Sequence, residues 1–455
     1  MRKPIVLLAV AALLVGLVVT PAAAAKQVKV NVLLNTEITD QVLDELGDFG
    51  KIKNTLPAID AVFMQIKAAD LDDVAALPFV VAVNPDAERK GAPVDTVAAT
   101  DFADGLSTWD LDAVNVTDFG FDNRQVAQDG TGVYVAVLDT GLVGIWRQYF
   151  PEERIAEEYA KSFGGGGGEK GNVSEQPNKW ESDTQSHGTH VTSTILGYSL
   201  NGTPVNGVAP GATVIPVKVL NQNGSGWSSV IAAGITYVAD LKAGPLAGSP
   251  VVINMSLGGP ELDAVEKAAI DYAIAQGVII VASAGNEGEA GMGYPGAYAP
   301  VISVAATGWA GEWSPPGNRS WWWNLDVTDP IDPSEFYITD FSSRELAGQD
   351  LDVAAPGSWV VGPYNPSQGK TSYYFLGGTS MASPHVAGVV ALMAQKYPAL
   401  AQAQAEAILE GSATYLAPGC RSILGPSGVA EAFCWDADAT GAGMVTADAA
   451  LAATP

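Results

Sequence analysis

Three residues in this chain have the types and settings needed for covalent chemistry on an acyl group: Asp139, His187 and Ser380. Asp139 closes the apolar run Val133 to Leu138 and is followed by Thr140 and Gly141. His187 lies in Ser186-His187-Gly188-Thr189-His190-Val191, where the apolar positions Val191 and Ile195 begin to recur at helical spacing. Ser380 lies in Gly377-Gly378-Thr379-Ser380-Met381-Ala382-Ser383-Pro384-His385, a glycine-rich turn leading into a helix expected over Val386 to Lys396. A serine hydroxyl becomes a competent nucleophile when a neighbouring imidazole accepts its proton, and a carboxylate then holds the imidazole in the right tautomer. At a helix start, the backbone N–H and the positive end of the dipole favour the anionic oxygen that develops during attack. Gly377 and Gly378 allow the tight turn.

The chain has three histidines, His187, His190 and His385, so the base must come from that set. His187 and His190 are three apart with no Glu between them, which argues against the helical zinc motif. His190 and His385 read as structural donors packed on helix faces.

The elements that must position these groups alternate. Strands are expected at Val133 to Leu138, Val214 to Leu220, Val251 to Met255, Val278 to Ala282 and Val301 to Ala305, with helices at Trp227 to Leu241 and Leu262 to Gln276. Short β-branched runs between longer helical ones predict an α/β fold: a largely parallel twisted sheet with helices on both faces. Ligands in such sheets bind beyond the carboxyl ends of the strands. Ahead of this lies a smaller α+β unit, residues 26–90. It has strand-like runs at Val28 to Leu33, Ala61 to Ile66 and Phe79 to Val83, and helix-like runs at Thr39 to Leu46 and Leu71 to Leu77. The order is β-α-β-β-α-β, the ferredoxin-like pattern. Residues 91–108, rich in Ala, Thr, Asp and Gly, read as an exposed linker open to proteolytic nicking, and residues 109–455 as the large domain.

The 455 residues carry 50 Asp plus Glu against 23 Lys plus Arg, a net charge of -27. Such a surface repels phosphates and disfavours a nucleic-acid partner; it is read here as solubility rather than cation binding. Residues 1–25 read as a signal peptide: Arg2 and Lys3, an apolar run from Ile5 to Thr20, and small residues from Ala22 to Ala25. The alternative, a membrane anchor, would need a longer run. There is no Cys near residue 25 for a lipid anchor, and no later segment reaches spanning length, so a soluble, secreted protein is expected. Cys420 and Cys434 could close a local disulfide in an oxidising compartment, contributing roughly 3 kcal/mol; two free thiols are the alternative.

The Asp-Thr-Gly run, the His-Gly-Thr-His-Val run and the Gly-Thr-Ser-Met-Ala-Ser-Pro-His-Val-Ala-Gly run resemble the three signatures of the subtilisin-like (subtilase) serine peptidases, in that family's Asp, His, Ser order. The resemblance extends from about Trp109 to Leu451. It implies a secreted endopeptidase made as a self-processing zymogen, with Asp139, His187 and Ser380 as the triad. It also implies that Asn286, in Ser283-Ala284-Gly285-Asn286, donates its side-chain amide to the oxyanion. By the same resemblance Ser256, Leu257 and Gly258 line one side of an extended peptide substrate, and Gly224, Ser225 and Gly226 the other. Ser283, Ala284 and Gly285 complete the substrate surface. Residues 26–90 are similar to the family's inhibitory propeptide, which would act as an intramolecular partner. No cofactor is expected for the chemistry. The resemblance also raises a structural calcium near Leu200 to Val205, with Asn201 as candidate ligand, an ordinary solvated loop being the equal alternative.

Other features carry less. The stretch between Gly308 and Phe341 is long for the family and holds Trp309, Trp313 and Trp321 to Trp323, read as the small core of an inserted loop rather than a partner anchor. Gly164 to Gly168 reads as a surface loop, and Glu287 as a rim carboxylate that either favours basic substrates or does nothing. Two other functions stand against the peptidase: a silent binding protein on a protease scaffold, which the full triad disfavours, and a secreted esterase. An esterase would favour a Gly-x-Ser-x-Gly elbow, and the nucleophile here sits in Gly-Thr-Ser-Met-Ala.

Overall fold

A computed structural model describes residues 26–99, 108–118, 123–164, 170, 172–313, 326–367 and 369–455. The proposed signal segment, most of the glycine run and Trp321 to Trp323 lie outside these residues.

The N-terminal unit comprises β1 (Gln27–Leu34), α1 (Asp40–Gly47), β2 (Gly50–Leu56), β3 (Ala61–Lys67), α2 (Leu71–Ala75) and β4 (Val80–Pro85). Its sheet is antiparallel with order β2-β3-β1-β4, the expected ferredoxin-like arrangement. The β-α-β-β-α-β pattern calls for β2, but its residues do not stand out in the sequence, because Gly-Lys-Ile-Lys-Asn-Thr-Leu carries few apolar residues and is only partly buried. Val30, Val32, Leu46, Val62, Met64 and Ile66 form this unit's own core.

Part of the exposed linker expected over residues 91–108 is a strand, and another strand directly precedes it. Glu88–Lys90 forms β5 and Asp95–Ala99 forms β6. Isolated strands this short need a partner edge, and they find it in the large domain, so nothing local in the sequence reports them.

The large domain begins with α3 (Trp109–Ala113) and β7 (Tyr134–Asp139), then β8 (Lys161–Phe163), β9 (Glu175–Gln176), α4 (His187–Leu196), β10 (Tyr198–Leu200), β11 (Thr203–Val205), β12 (Thr213–Lys218) and β13 (Ser225–Trp227). It continues with α5 (Ser228–Ala243), β14 (Val251–Met255), α6 (Ala264–Ala275), β15 (Val278–Ser283), β16 (Ile302–Trp309), β17 (Phe336–Ile338), β18 (Val353–Pro356), β19 (Val360–Pro363) and β20 (Tyr373–Gly377). The last elements are α7 (Thr379–Lys396), α8 (Gln402–Ser412), β21 (Gly419–Leu424), β22 (Ala430–Trp435) and α9 (Ala447–Ala453).

Nine strands among the described residues form the main sheet in the order β17-β16-β15-β14-β7-β12-β8-β9, with β18 also on β16. The central pairs are parallel, and only the β17 and β9 edges run antiparallel. Alternate residues of each strand serve opposite faces. Val135, Val137, Val252 and Val281 join α4 and α7 in one core; Ala136, Leu138, Ile253 and Ile280 join α5 and α6 in the other. Both faces are covered, which is why the central strands read as near-continuous apolar runs. The N-terminal unit adds Ala61 and Phe63 to the α5–α6 side.

Trp309 and Trp313 are buried: Trp309 stacks on Trp109, and Trp313 meets Trp359 and Phe375 edge-on. Both are core residues of the domain. Cys420 and Cys434 face each other across the β21–β22 hairpin and form a disulfide.

Candidate active site

β7, β12, β14 and β15 all point their carboxyl ends at one region, and each delivers a residue or a loop to it. Asp139 is the last residue of β7 and is fully buried. His187 opens α4, and its Nδ1 lies 2.9 Å from both carboxylate oxygens of Asp139. The two elements can meet this closely because residue 188 is glycine: a Cβ there would stand 2.5 Å from the Gly141 carbonyl and 3.1 Å from Asp139 Cβ.

The start of α4 lacks a conventional cap. Ser186 sits at φ 73° with no capping bond from its side chain. The free amides go elsewhere: His187 N–H to Gln185 Oε1, and Gly188 N–H to Thr140 Oγ1. Thr140 Oγ1 in turn donates to Asp183, which also accepts from the Gln185 and Ser186 amides. Burial pushes Asp183 up to about 6, opposed by Lys218 and these donors. Lys218 is also buried and donates to the Thr140 and Leu220 carbonyls; burial lowers its pKa, against the pull of Asp183 and Asp139. Neither Asp183 nor Lys218 stood out in the sequence, although an Asp three residues before a Ser-His pair is a turn signal.

Ser380 belongs to a helix longer than expected. α7 starts at Thr379, with Gly378 turning at φ 154°, and contains Pro384. Pro384 has no N–H to offer the Ser380 carbonyl four residues back. Ser256 Oγ takes that acceptor at 2.8 Å, so the helix passes through the proline without leaving a buried carbonyl unpaired. Asn254 joins this arrangement, donating to Ser256 Oγ and accepting from Ser383 Oγ. The sequence reading began the helix at Val386 because proline usually marks a boundary.

The imidazole–hydroxyl link is not made. Ser380 Oγ donates to the Ser256 carbonyl at 3.2 Å, and His187 Nε2 is buried with no hydrogen-bond partner among the described residues. A chain segment lies against this imidazole and against the Ser256 carbonyl that Ser380 bonds: a Cβ on Gly91 would stand 3.4 Å from His187 Cε1 and 2.7 Å from that carbonyl oxygen.

That segment lies as a strand in a groove. β5 pairs antiparallel with β13, matching Lys90 to Ser225 and Arg89 to Gly226. On its other side Lys90 exchanges both backbone bonds with Gly258 at 2.9 Å, and the Gly91 amide donates to the Gly224 carbonyl at 2.8 Å. Gly224 to Gly226 and Ser256 to Gly258 thus flank an extended peptide, which is β-augmentation from both sides. Past Gly91 the chain crosses toward Gly378, and the Val94 amide reaches the Gly377 carbonyl. β6 then pairs with β20 directly before the turn that leads to Ser380.

Asn286 follows the end of β15. Its Oδ1 accepts from Thr379 N–H and Thr379 Oγ1, both at 2.9 Å, which turns the amide nitrogen away from Thr379. Glu287 accepts from the backbone N–H of Asn286 and from Ser343 Oγ, so this rim carboxylate braces its own turn. Ser283, Ala284 and Gly285 lead into the turn, with the Ser283 hydroxyl 3.5 Å from the Leu257 carbonyl. His190 and His385 sit apart from this chemistry. His190 Nε2 meets the Val360 carbonyl, and burial pushes its pKa down to about 3, so it is neutral. His385 bridges the Met381 carbonyl and Asp110.

Asn201 lies in the β10–β11 hairpin, where its Oδ1 accepts from Thr371 Oγ1. The carboxylates close enough to share an ion among the described residues are instead Asp112, Asp118 and Asp326, within 4.8 Å of one another. Burial, followed by the repulsion of Asp326 and Asp329, pushes Asp112 up to about 8.

A carboxylate–imidazole pair beside a serine at the head of a buried helix, on the carboxyl ends of a parallel sheet, defines a serine hydrolase of the subtilisin-like class. Residues 130–435 match the Subtilase family (Peptidase S8). The chain is 36% identical over 291 residues to subtilisin DY of Bacillus licheniformis, covering 63% of this chain and 85% of that protein. A thermostable alkaline protease of Halalkalibacterium halodurans is 29% identical over 427 residues, covering 93% of this chain and 97% of its own. Among solved structures, fervidolysin from Fervidobacterium pennivorans, described as a keratinolytic enzyme related to subtilisin, superposes with a TM-score of 0.65 at 27% identity. That match covers 94% of this chain, which spans 61% of fervidolysin. The chain belongs to the subtilase family of serine peptidases.

Proposed function

We propose that this chain is a secreted serine endopeptidase, synthesised as a precursor that processes itself and is held latent by its own N-terminal unit. The observation that carries the reading is the position of residues 88–91, which lie as the central strand of the groove above His187 and Ser380. A strand held from both sides is how an extended polypeptide substrate would be held. In the reaction Ser380 attacks the carbonyl, and His187 takes the hydroxyl proton and returns it to the leaving amine. Asp139 orients His187 and stabilises its cationic form. Asn286 Nδ2 and the Ser380 N–H receive the oxyanion. In the covered state Ser380 Oγ is bonded to Ser256 instead; catalytic hydrogen bonds commonly tighten only when a substrate is correctly seated.

The N-terminal unit docks through charge as well as strand pairing. Asp86 accepts from the Ser229 amide at the start of α5, and Asn31 and Asn84 donate to Asp263 at the start of α6. Carboxylates at helix N-termini are favourable on both counts of dipole and free amides. Secretion is supported by the Cys420–Cys434 disulfide and by the leader-like residues 1–25. No helix of the described residues is long and apolar enough to cross a membrane. The peptide-bond chemistry uses no cofactor, and a structural calcium would find its carboxylates at Asp112, Asp118 and Asp326 rather than at Asn201.

Full-length wild-type protein and Ser380→Ala are the test. Wild type is expected to shorten itself by its N-terminal unit and then hydrolyse casein; Ser380→Ala stays at full length and is inert. A Ser380→Ala chain that still processes itself and digests casein contradicts the proposal, and wild type that cleaves simple esters but no peptide favours the esterase.

A further inference from the structure

The groove contains a pocket with an unusual tenant. Arg89 is fully buried, and its guanidinium faces Glu266, which is 1% exposed. Arg89 Nε lies 3.0 and 3.2 Å from the two Glu266 oxygens, and Nη2 lies 2.5 Å from Oε2. Nη2 also donates to the Glu261 carbonyl at 2.8 Å and Nη1 to the Glu88 carbonyl at 3.1 Å. Glu266 sits on the inner face of α6 among Val265, Ala269, Ile270 and Ala273, which are otherwise apolar. A carboxylate on such a face costs stability unless a cation meets it.

Arg89 belongs to the strand in the substrate groove, not to the pocket. Its partner residues fix the register: Gly226 opposite Arg89, Ser225 and Gly258 opposite Lys90, Gly224 on Gly91. With Gly91 beside His187 and Pro93 beside Gly378, the carbonyl that passes the nucleophile is that of Ala92. Any polypeptide lying in the groove in this register therefore presents to Glu266 the side chain three residues before the attacked carbonyl.

We propose that Glu266 is a specificity-determining residue that selects arginine at that position of the substrate; this rests on the peptidase reading above. Once the N-terminal unit leaves, its guanidinium leaves with it, and Glu266 is without its cation until an arginine-bearing chain binds. The planar fork of arginine matches the two carboxylate oxygens and the Glu261 carbonyl together; the single ammonium of lysine does not. A leucine in the pocket would leave the carboxylate unpaired.

The processed enzyme should be assayed on the nitroanilides of Arg-Lys-Gly-Ala, Lys-Lys-Gly-Ala and Leu-Lys-Gly-Ala. The expected kcat/KM for the arginine peptide is about ten- to a hundred-fold above that for leucine, with lysine between them. Glu266→Gln should remove most of that preference. Glu266→Leu should reverse it, and its precursor would carry Arg89→Leu as well so that the buried pair is exchanged together. Equal turnover of the arginine and leucine peptides by the wild-type enzyme overturns this inference and leaves the peptidase reading standing. Failure of the processed enzyme to cleave any peptide overturns that reading and this one with it. The wild-type comparison stands even if the variants do not fold.

Discussion

Replacing Asn286 by leucine removes one donor and two acceptor contacts, and the structure separates their effects. The donor is Nδ2, which lies on the side of the amide away from Thr379. Loss of one oxyanion donor costs subtilisins roughly 10²–10³-fold in kcat, about 3–4 kcal/mol of transition-state stabilisation. KM should barely move, because the bond strengthens only as the oxyanion forms. The acceptor is Oδ1, which holds Thr379 N–H and Oγ1 at 2.9 Å each. Thr379 is fully buried, so its amide would lose its partner, at a cost of about 1–3 kcal/mol of stability. Asn286→Asp keeps both acceptor contacts and loses only the donor. Its kcat should therefore fall at least as far, with little loss of stability. The variants can be matured in trans by a tagged wild-type enzyme that is then withdrawn, and their kcat measured on a peptide nitroanilide. Stability is best read by urea unfolding in a Ser380→Ala background, free of autolysis. If both variants keep kcat within ten-fold of wild type while Asn286→Leu loses stability, Asn286 is a turn residue and its catalytic assignment fails.

Two further predictions concern the support of the site and the core. Gly188→Ala should lower kcat at least about a hundred-fold, because its Cβ would push α4 off the Gly141 carbonyl and part His187 from Asp139, and displacements of about 1 Å carry that penalty; a loss under three-fold on a peptide nitroanilide would contradict this. Burial pushes Glu312 up to about 8, against the pull of the Trp309 amide, Tyr337 and Ser358. The folded state thus holds a proton that the unfolded chain gives up near the ordinary carboxyl value. The stability from this group is full at low pH and is lost as pH rises through about 8, by up to about 5 kcal/mol. Glu312→Gln removes that dependence: in the Ser380→Ala background its unfolding free energy should gain on the parent by several kcal/mol between pH 5 and 9, and a constant difference would refute the assignment.

Much of the large domain was legible because its sheet is covered on both faces. Val133 to Leu138 and Val278 to Ala282 are unbroken apolar runs, Val251 to Met255 is broken only by Asn254, and each lies within two residues of an observed strand. The position of Asp139 was also readable, since a polar residue after such a run has to lie at the sheet's rim, and that of His187 was readable from the helical spacing of Val191 and Ile195 after it. What escaped was set by distant partners. Glu-Arg-Lys at 88–90 is polar and short, and becomes a strand only because residues 225–227 and Gly258 offer their edges. Asp95–Ala99 depends in the same way on β20, more than 270 residues later. The start of α7 was hidden by Pro384, whose missing bond Ser256 offsets from the segment just after β14. Glu266 did leave a trace: it falls in helical register with Ile270 and Ala273, an acid on the apolar side of α6. The sequence alone could not name its partner, because Arg89 lies 177 residues earlier.

The account turns on whether Ser380 is the nucleophile once the groove is cleared. Processed enzyme treated with a serine-directed phosphonylating reagent, digested and mapped by mass spectrometry, should carry one phosphonyl group per chain, on Ser380, with peptidase activity falling in step. Active enzyme that stays unlabelled at Ser380, or is silenced by a label on another residue, would contradict it.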